Sequence, residues 1–409
     1  MKLSKKILLS FSLCLFISPV FADQRSFKET EIKADQGDVI AQYNLGVMYA
    51  NGEGITQSYA KAIEWYSKAA AQGSAHAQYN LGWMYYTGQG VTESDAKAVE
   101  WYSKAAAQGH ANAQYNLGWM YGNGRGVAQS YAKAIEWYSK AAAQGNASAQ
   151  DNLGEMHRQG QGFPQSYAKA FEWYSKAAAQ GNASGQHNLG GMYYGGDGVP
   201  QSYAKAIEWY SKAAAQGHAS AQYNLGVMYA DGQGVAQSYA KAIEWYSKAA
   251  AQGNANAQHN LGVMYADGQG VAQSYAKAIE WYSKAAAQGS AHAQYNLGVM
   301  YADGQGVAQS YAKAIEWYSK AAAQGHASAQ NNIGAMYADG QGVTKNTALA
   351  NEWFLKAANN GDAMAQFNIG KSYLNGSNGL PKNRILALNW LKKAANNGHA
   401  QAKLMLAGL

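Results

Sequence analysis

Nine histidines are the first residues to test for chemistry in this chain, because imidazole can ligate metals or exchange protons near neutral pH. Six of them, His76, His110, His218, His292, His326 and His399, fall in short turns, and His187 and His259 stand where similar segments carry tyrosine. No pair has ligand spacing on one helix, so the sequence predicts no metal site. The recurring "DGQGV" offers two glycines, but it follows a helical pattern instead of a strand and lacks the Lys-Ser/Thr pair of a phosphate loop. It also lacks the acidic oxygen ligands of a calcium loop, and reads as a turn between helices. Ser, Lys and Glu recur at the same positions in segment after segment, whereas a nucleophile and its base are needed once. The expectation is a non-enzyme without cofactor.

That recurrence is the dominant feature of the sequence. From Ala41 the pattern returns every 36 residues, at Ala77, Ala113, Ala149, Gly185, Ala221, Ala257, Ala293, Ala329 and Ala365. The tenth copy has one extra residue in "NGSNGLPKN". The expected organisation is a leader at 1–22, a lead-in or partial cap at 23–40, ten repeats over 41–401, and a partial capping helix at 402–409.

Each copy reads as two helices. In the first, Ala41, Asn44, Leu45, Met48 and Tyr49 fall on one face, and "NGEGI" ends the helix with two glycines. Ser58 is a good cap for the second helix, which runs through "YAKAIEWYSKAAAQ" to Gly73. Tyr59, Ala62, Ile63, Tyr66, Ala69 and Ala70 form its apolar stripe, with Lys61, Glu64 and Lys68 opposite. Gly46 and the alanine run leave room for large neighbours such as Trp65 and Tyr66. An isolated pair buries too little surface to fold well, so stacking must supply the rest.

Departures from the pattern are more informative than agreements, since the copies beginning at 221, 257 and 293 are nearly identical. At about 100° per residue, positions equivalent to 43, 47 and 50 cluster on one face of the first helix. The middle position reads Val47, Trp83, Trp119, Glu155, Gly191, Val227, Val263, Val299, Ala335 and Lys371. Of the 12 tryptophans, ten recur in the second helix; only Trp83 and Trp119 lie elsewhere. With Tyr79, Tyr86 and Tyr115 they make an aromatic strip, flanked by Asp151, Glu155 and Arg158. Aromatic and arginine side chains are the types that anchor protein interfaces, although large rings can also pack on one another. The fourth copy departs most, through Glu155, His157, Arg158 and Phe163-Pro164.

The first 22 residues combine Lys2, Lys5 and Lys6 with the apolar "ILLSFSLCLFI" and "VFA", the pattern of a secretory signal cut after Ala22. The apolar run is shorter than the roughly 20 residues of a spanning helix, so no stable membrane insertion is expected after cleavage. Cys14, the one cysteine, would leave with the signal. Loss of those three lysines takes the formal charge from +7 to +4, with no basic block to hold nucleic acid.

The motifs "A-x-x-N-L-G-x-M-Y-x-x-G-x-G-V" and "A-K-A-x-E-W-Y-x-K-A-A-x-x-G" resemble the Sel1-like repeat, a relative of the tetratricopeptide repeat. In that pattern Asn44, Leu45, Gly46, Tyr49, Gly52, Gly54, Ala62, Trp65, Tyr66, Ala69, Ala70 and Gly73 match framework positions. The resemblance implies an all-α, right-handed α/α superhelical solenoid whose first helices line a concave surface. It also implies an adaptor role, here in the periplasm or outside the cell, in envelope signalling, envelope assembly or host interaction. A protein or peptide bound through the concave face is the expected partner. One branch of the family implies penicillin binding or weak β-lactamase activity, but it is stapled by paired cysteines that this chain lacks after cleavage. Glycan binding on the aromatic strip is a third reading.

Overall fold

The computed structural model describes residues 24–408, and every regular element among them is an α-helix. The expected signal segment, 1–22, lies outside the described residues. The helices divide between two compact bodies, one ending at Gly185 and one starting at Gln186.

In the first body the order is α1 (Gln24–Asp35), α2 (Val39–Asn51), α3 (Tyr59–Ala71), α4 (Ala75–Thr87), α5 (Asp95–Ala107), α6 (Ala111–Asn123), α7 (Tyr131–Ala143), α8 (Ala147–Gln159) and α9 (Tyr167–Ala179). α10 (Ala183–Gly195) crosses the boundary. The second body continues with α11 (Tyr203–Ala215), α12 (Ala219–Asp231), α13 (Tyr239–Ala251), α14 (Ala255–Asp267), α15 (Tyr275–Ala287) and α16 (Ala291–Asp303). It ends with α17 (Tyr311–Ala323), α18 (Ala327–Asp339), α19 (Thr347–Asn359), α20 (Ala363–Asn375), α21 (Arg384–Asn396) and α22 (Ala400–Ala407).

Local chemistry sets each helix end. Asp38 caps α2 by accepting from the Ala41 amide, and Ser58 caps α3 by accepting from Lys61. α2 stops at Gly52, whose φ of 74° is left-handed and lets its amide reach the Met48 carbonyl. The same devices recur down the chain, with Ser130 capping α7 and Gly124 closing α6.

Within a repeat the two helices meet where a glycine faces a ring. A side-chain carbon added to Gly46 would lie 2.5 Å from the Tyr66 ring, so only a bare backbone admits this approach. Ala62 and Ala69 are fully buried beside it, while Lys61, Glu64 and Lys68 are exposed. Lys68 pairs with Glu64 at 2.9 Å, an exposed contact worth a few tenths of a kcal/mol. The same lysine Nζ sits 3.7 Å from the Trp65 ring centroid, a geometry repeated by Lys104 over Trp101 and Lys140 over Trp137.

A buried glutamine ties each first helix both to the end of the preceding second helix and to the end of its own repeat. Gln42 donates to the Ala34 carbonyl and accepts from Gln72 at 2.8 Å; Gln78 and Gln108, then Gln114 and Gln144, repeat the arrangement. In the second body the rungs include Gln216 to Gln186 and Gln252 to Gln222, and Asn360 and Asn397 take the donor's place further on. These glutamines were not singled out in the sequence, because a polar residue between alanines gives no apolar periodicity.

α1 lies 36 residues ahead of α3 but presents Ser26, Thr30 and Lys33 where α3 presents Ala62, Tyr66 and Ala69. Phe27 holds it to α2 through an edge contact with Tyr49, ring centroids 5.7 Å apart. At the other end, Ala402, Met405 and Leu406 of α22 pack with Leu391 and Phe367.

Candidate functional site

Successive first helices α4, α6 and α8 place Trp83, Trp119 and Glu155 at one repeated position. In the fourth repeat this position reaches the second-helix tyrosine, whose hydroxyl, that of Tyr174, donates to Glu155 Oε2 at 2.6 Å. Trp83 and Trp119 are half-buried. They are joined through Tyr86, whose ring lies 6.3 Å from Trp83 and meets Trp119 edge-on at 5.9 Å and 85°. Trp83 packs against the cores on both sides of α4, and Trp119 against those on both sides of α6.

The tyrosines of the strip are more enclosed than their sequence positions suggest. Tyr86 is 6% exposed and Tyr115 is 7% exposed, so both serve the core as well as the face. Tyr79 is half-buried, stacks on His110 at 4.7 Å and 21°, and tilts against Tyr102 at 5.8 Å. Burial pushes the Tyr79 and Tyr115 hydroxyls up to about 12, with Asn116 and Asn152 respectively hydrogen-bonding to hold them down in part. The asparagine of each following repeat thus ties the tyrosine of the one before, a role that spacing alone did not reveal.

On α8 the strip gives way to charge. Arg158 makes a two-pronged contact with Glu155, Nε to Oε2 at 2.8 Å and Nη2 to Oε1 at 2.6 Å, and Gln159 adds a further bond to Oε1. Burial pushes the Glu155 carboxyl up, but the bonds from Arg158, Tyr174 and Gln159 outweigh it and hold the group below its ordinary value. Asp151 is half-buried one turn earlier, and its charge adds to burial in raising Tyr115. Glu155 and Arg158 are therefore brought together as an ion pair, alongside a neighbouring aromatic strip.

Three further features had weak signals in sequence. Asp95 stands where repeats such as the first and third carry Tyr59 and Tyr131, and Arg125 where others carry Gln89 and Gln161. The structure makes them partners: Arg125 Nη2 lies 2.7 Å and Nε 2.8 Å from Asp95 Oδ2, close to Tyr86. His157 and Phe163, two departures in the fourth repeat, stack at 4.0 Å and 12°. Six of the histidines, which look scattered along the chain, meet in pairs: His76 with His110 at 5.0 Å, His187 with His218 at 4.7 Å, and His292 with His326 at 5.0 Å. Among the described residues no group of three or more His, Cys, Asp or Glu could hold a metal ion.

Stacked two-helix repeats, joined by buried glutamines and varied on one face of the first helices, define a tetratricopeptide-like helical-repeat protein. The Sel1 repeat pattern matches ten consecutive segments, from 39–74 through 363–399, and the chain belongs to the Sel1 repeat family. It is similar to a protective antigen present in uropathogenic Escherichia coli strains, whose crystal structure displays the same repeat fold. The two share 40% identity and a TM-score of 0.77, over 93% of this chain and 81% of that one. A Sel1 repeat protein from Oxalobacter formigenes is 35% identical with a TM-score of 0.60, over 76% of this chain and 91% of that one. No curated protein matches the sequence. The Sel1 repeat is a scaffold fold, typically one for protein–protein interaction. No helix among the described residues is long and apolar enough to cross a membrane.

Proposed function

We propose that this protein is an exported, non-enzymatic scaffold that holds a protein or peptide on the concave face of its second to fourth repeats. The observation that carries the reading is that Trp83 and Trp119 remain half-buried at a position filled elsewhere by Val47, Val227, Val263 and Val299. A valine suffices for the fold there, so two indoles in adjacent repeats supply contact area beyond what stacking needs. Tyr79, Tyr86 and Tyr115 back the indoles, and the paired Glu155 and Arg158, with Asp151, supply a polar rim beside them.

Export rests on the leader-like residues 1–22, and a periplasmic or extracellular setting is in keeping with the antigen that the chain resembles. Envelope assembly, envelope signalling and host contact are the settings this reading favours. The test is affinity capture from a native envelope fraction with the mature chain and with Trp83→Ala/Trp119→Ala, followed by mass spectrometry. Partners held by the parent and lost by the variant are expected; equal capture by both would sink the aromatic-strip assignment.

A further inference from the structure

The first helices do not all begin on the same chemistry. Asp38, Ser74, Asn146, Asn254, Ser290 and Asp362 cap α2, α4, α8, α14, α16 and α20 through side-chain oxygens. α6, α12 and α18 are capped by His110, His218 and His326, whose Nδ1 atoms accept from Ala113, Ala221 and Ala329 at 3.2, 3.2 and 3.3 Å. His399 caps α22 in the same way, stacked on Phe367.

An oxygen cap survives mild acid, but an imidazole nitrogen accepts a hydrogen bond only while it is unprotonated. The hydrogen bonds assign the tautomer: Nδ1 is bare and the proton is on Nε2. At His326 that Nε2 lies 3.2 Å from His292 Nδ1, so it donates to the neighbouring ring. The same assignment counts against a metal bridging His292 and His326, since ligation at Nε2 would move the His326 proton to the capping nitrogen.

Each capping ring is also fixed by stacking: His110 on Tyr79, His218 on His187 and His326 on Tyr295, each at 4.7 Å. The ionisable groups facing them are His76 and Tyr79 for His110, and His187 for His218. His292 and Tyr295 face His326, which also feels the Asp362 carboxylate. A proton added to such a cap removes the acceptor, sets a positive charge at the positive end of a helix, and brings it against a second imidazole.

We propose that His110, His218 and His326 make the joints before α6, α12 and α18 acid-sensitive, so that these first turns open on acidification while oxygen-capped joints stay closed. Burial, with the neighbouring imidazole second, lowers His110 and His218 to about 4, and lowers His326 as well. An unfolded histidine titrates at about 6.5, so the opened turn gains protons that the closed one refuses as pH falls from there. The closed turn's stability is therefore whole above that value and is lost towards the lowered one.

Amide hydrogen exchange on the intact protein at about pH 7 and about pH 4, expressed as protection relative to the unfolded chain, tests this. Protection of Ala113, Ala221 and Ala329 should fall about fivefold further than that of Ala149, Ala257 and Ala293, the loss expected for one helix cap. The His110→Asn/His218→Asn/His326→Asn variant copies the caps of α8 and α14 and should abolish the difference. An equal response at both sets of amides, or an undiminished difference in the variant, overturns the proposal. Ring NMR titration of the unaltered protein gives a second reading: midpoints at the ordinary histidine value for these three residues would overturn it too.

Discussion

Gln78 accepts a hydrogen bond from Gln108 at 2.7 Å and donates its own amide to the carbonyl of Ala70, so one buried side chain ties α3 to α4 and to the end of α5. One apolar cluster holds Ala70, Ala77 and Leu81 and the next holds Ala105 and Ala106, so the bridge from Gln78 to Gln108 links elements of both. Replacing Gln78 with leucine keeps the volume but removes both side-chain hydrogen bonds, leaving the Ala70 carbonyl with the Gly73 amide as its remaining donor. We expect Gln78→Leu to cost about 1–3 kcal/mol of unfolding free energy, measured by urea denaturation. A change within error would show that water replaces the bridge.

The contact of Gly82 with Tyr102 gives a second prediction. A methyl group on Gly82 would sit 2.6 Å from Tyr102 Cδ1, and Tyr102 is 1% exposed with no room to retreat. Gly82→Ala should therefore cost about 1–3 kcal/mol through overpacking, despite alanine's better helix propensity. Gly191 is the control, because there the added carbon would lie at an ordinary 3.7 Å from the Tyr210 hydroxyl. Gly191→Ala is expected to be stabilising by about 0.5–1 kcal/mol, since the helix gains propensity without a clash. Thermal melts of the two variants should move in opposite directions.

These two glycines also mark what could be read from the sequence. Period, helix pairing and turn chemistry were legible because each is local and repeats: Ser58 before an apolar stripe and Gly73 after it are enough. Trp83 and Trp119 were legible as departures from the repeat, and the two pack against one shared apolar cluster. What escaped was pairing between departures. Asp95 with Arg125, His157 with Phe163, and His76 with His110 are each separated along the chain and become partners only once one repeat is set against its neighbour or a loop against its helix. Likewise Tyr86 looked like a free face residue, but the angle about the helix axis does not show how deeply the adjoining elements cover it.

The Asp95 and Arg125 pair is open to a double-mutant cycle. Arg125→Gln removes the cation from a carboxylate whose Oδ1 is already buried without a partner, and should cost about 1–3 kcal/mol. Asp95→Tyr alone sets a ring against the arginine of the next loop. The double variant restores the tyrosine and glutamine found in other repeats and should recover most of the loss, giving a coupling energy above about 0.5 kcal/mol. Additive losses in denaturant midpoints would mean that the two departures arose independently and do not compensate.

Glu155 gives the last prediction, in a pH window that opens at a lower pH than that of the histidines. Its carboxyl is raised by burial and lowered more strongly by Arg158, Tyr174 and Gln159, with a net fall below the ordinary 4.5. A lowered carboxyl stabilises the folded state above its unfolded value, and that stabilisation is lost as pH drops through the lowered one. Histidine caps begin to weaken below about 6.5, whereas the Glu155 contribution begins to fall only below its ordinary 4.5. In Glu155→Gln the Tyr174 hydroxyl keeps a possible acceptor, whereas Arg158 loses its counter-charge. The variant should melt lower than the parent near neutral pH, and the gap should close as the solution is taken below the ordinary carboxylate value. Arg158 is close to half exposed, so the neutral-pH gap should also shrink with added salt. A gap that persists unchanged in strong acid would assign the loss to packing of the longer network, with the ion pair contributing nothing of its own.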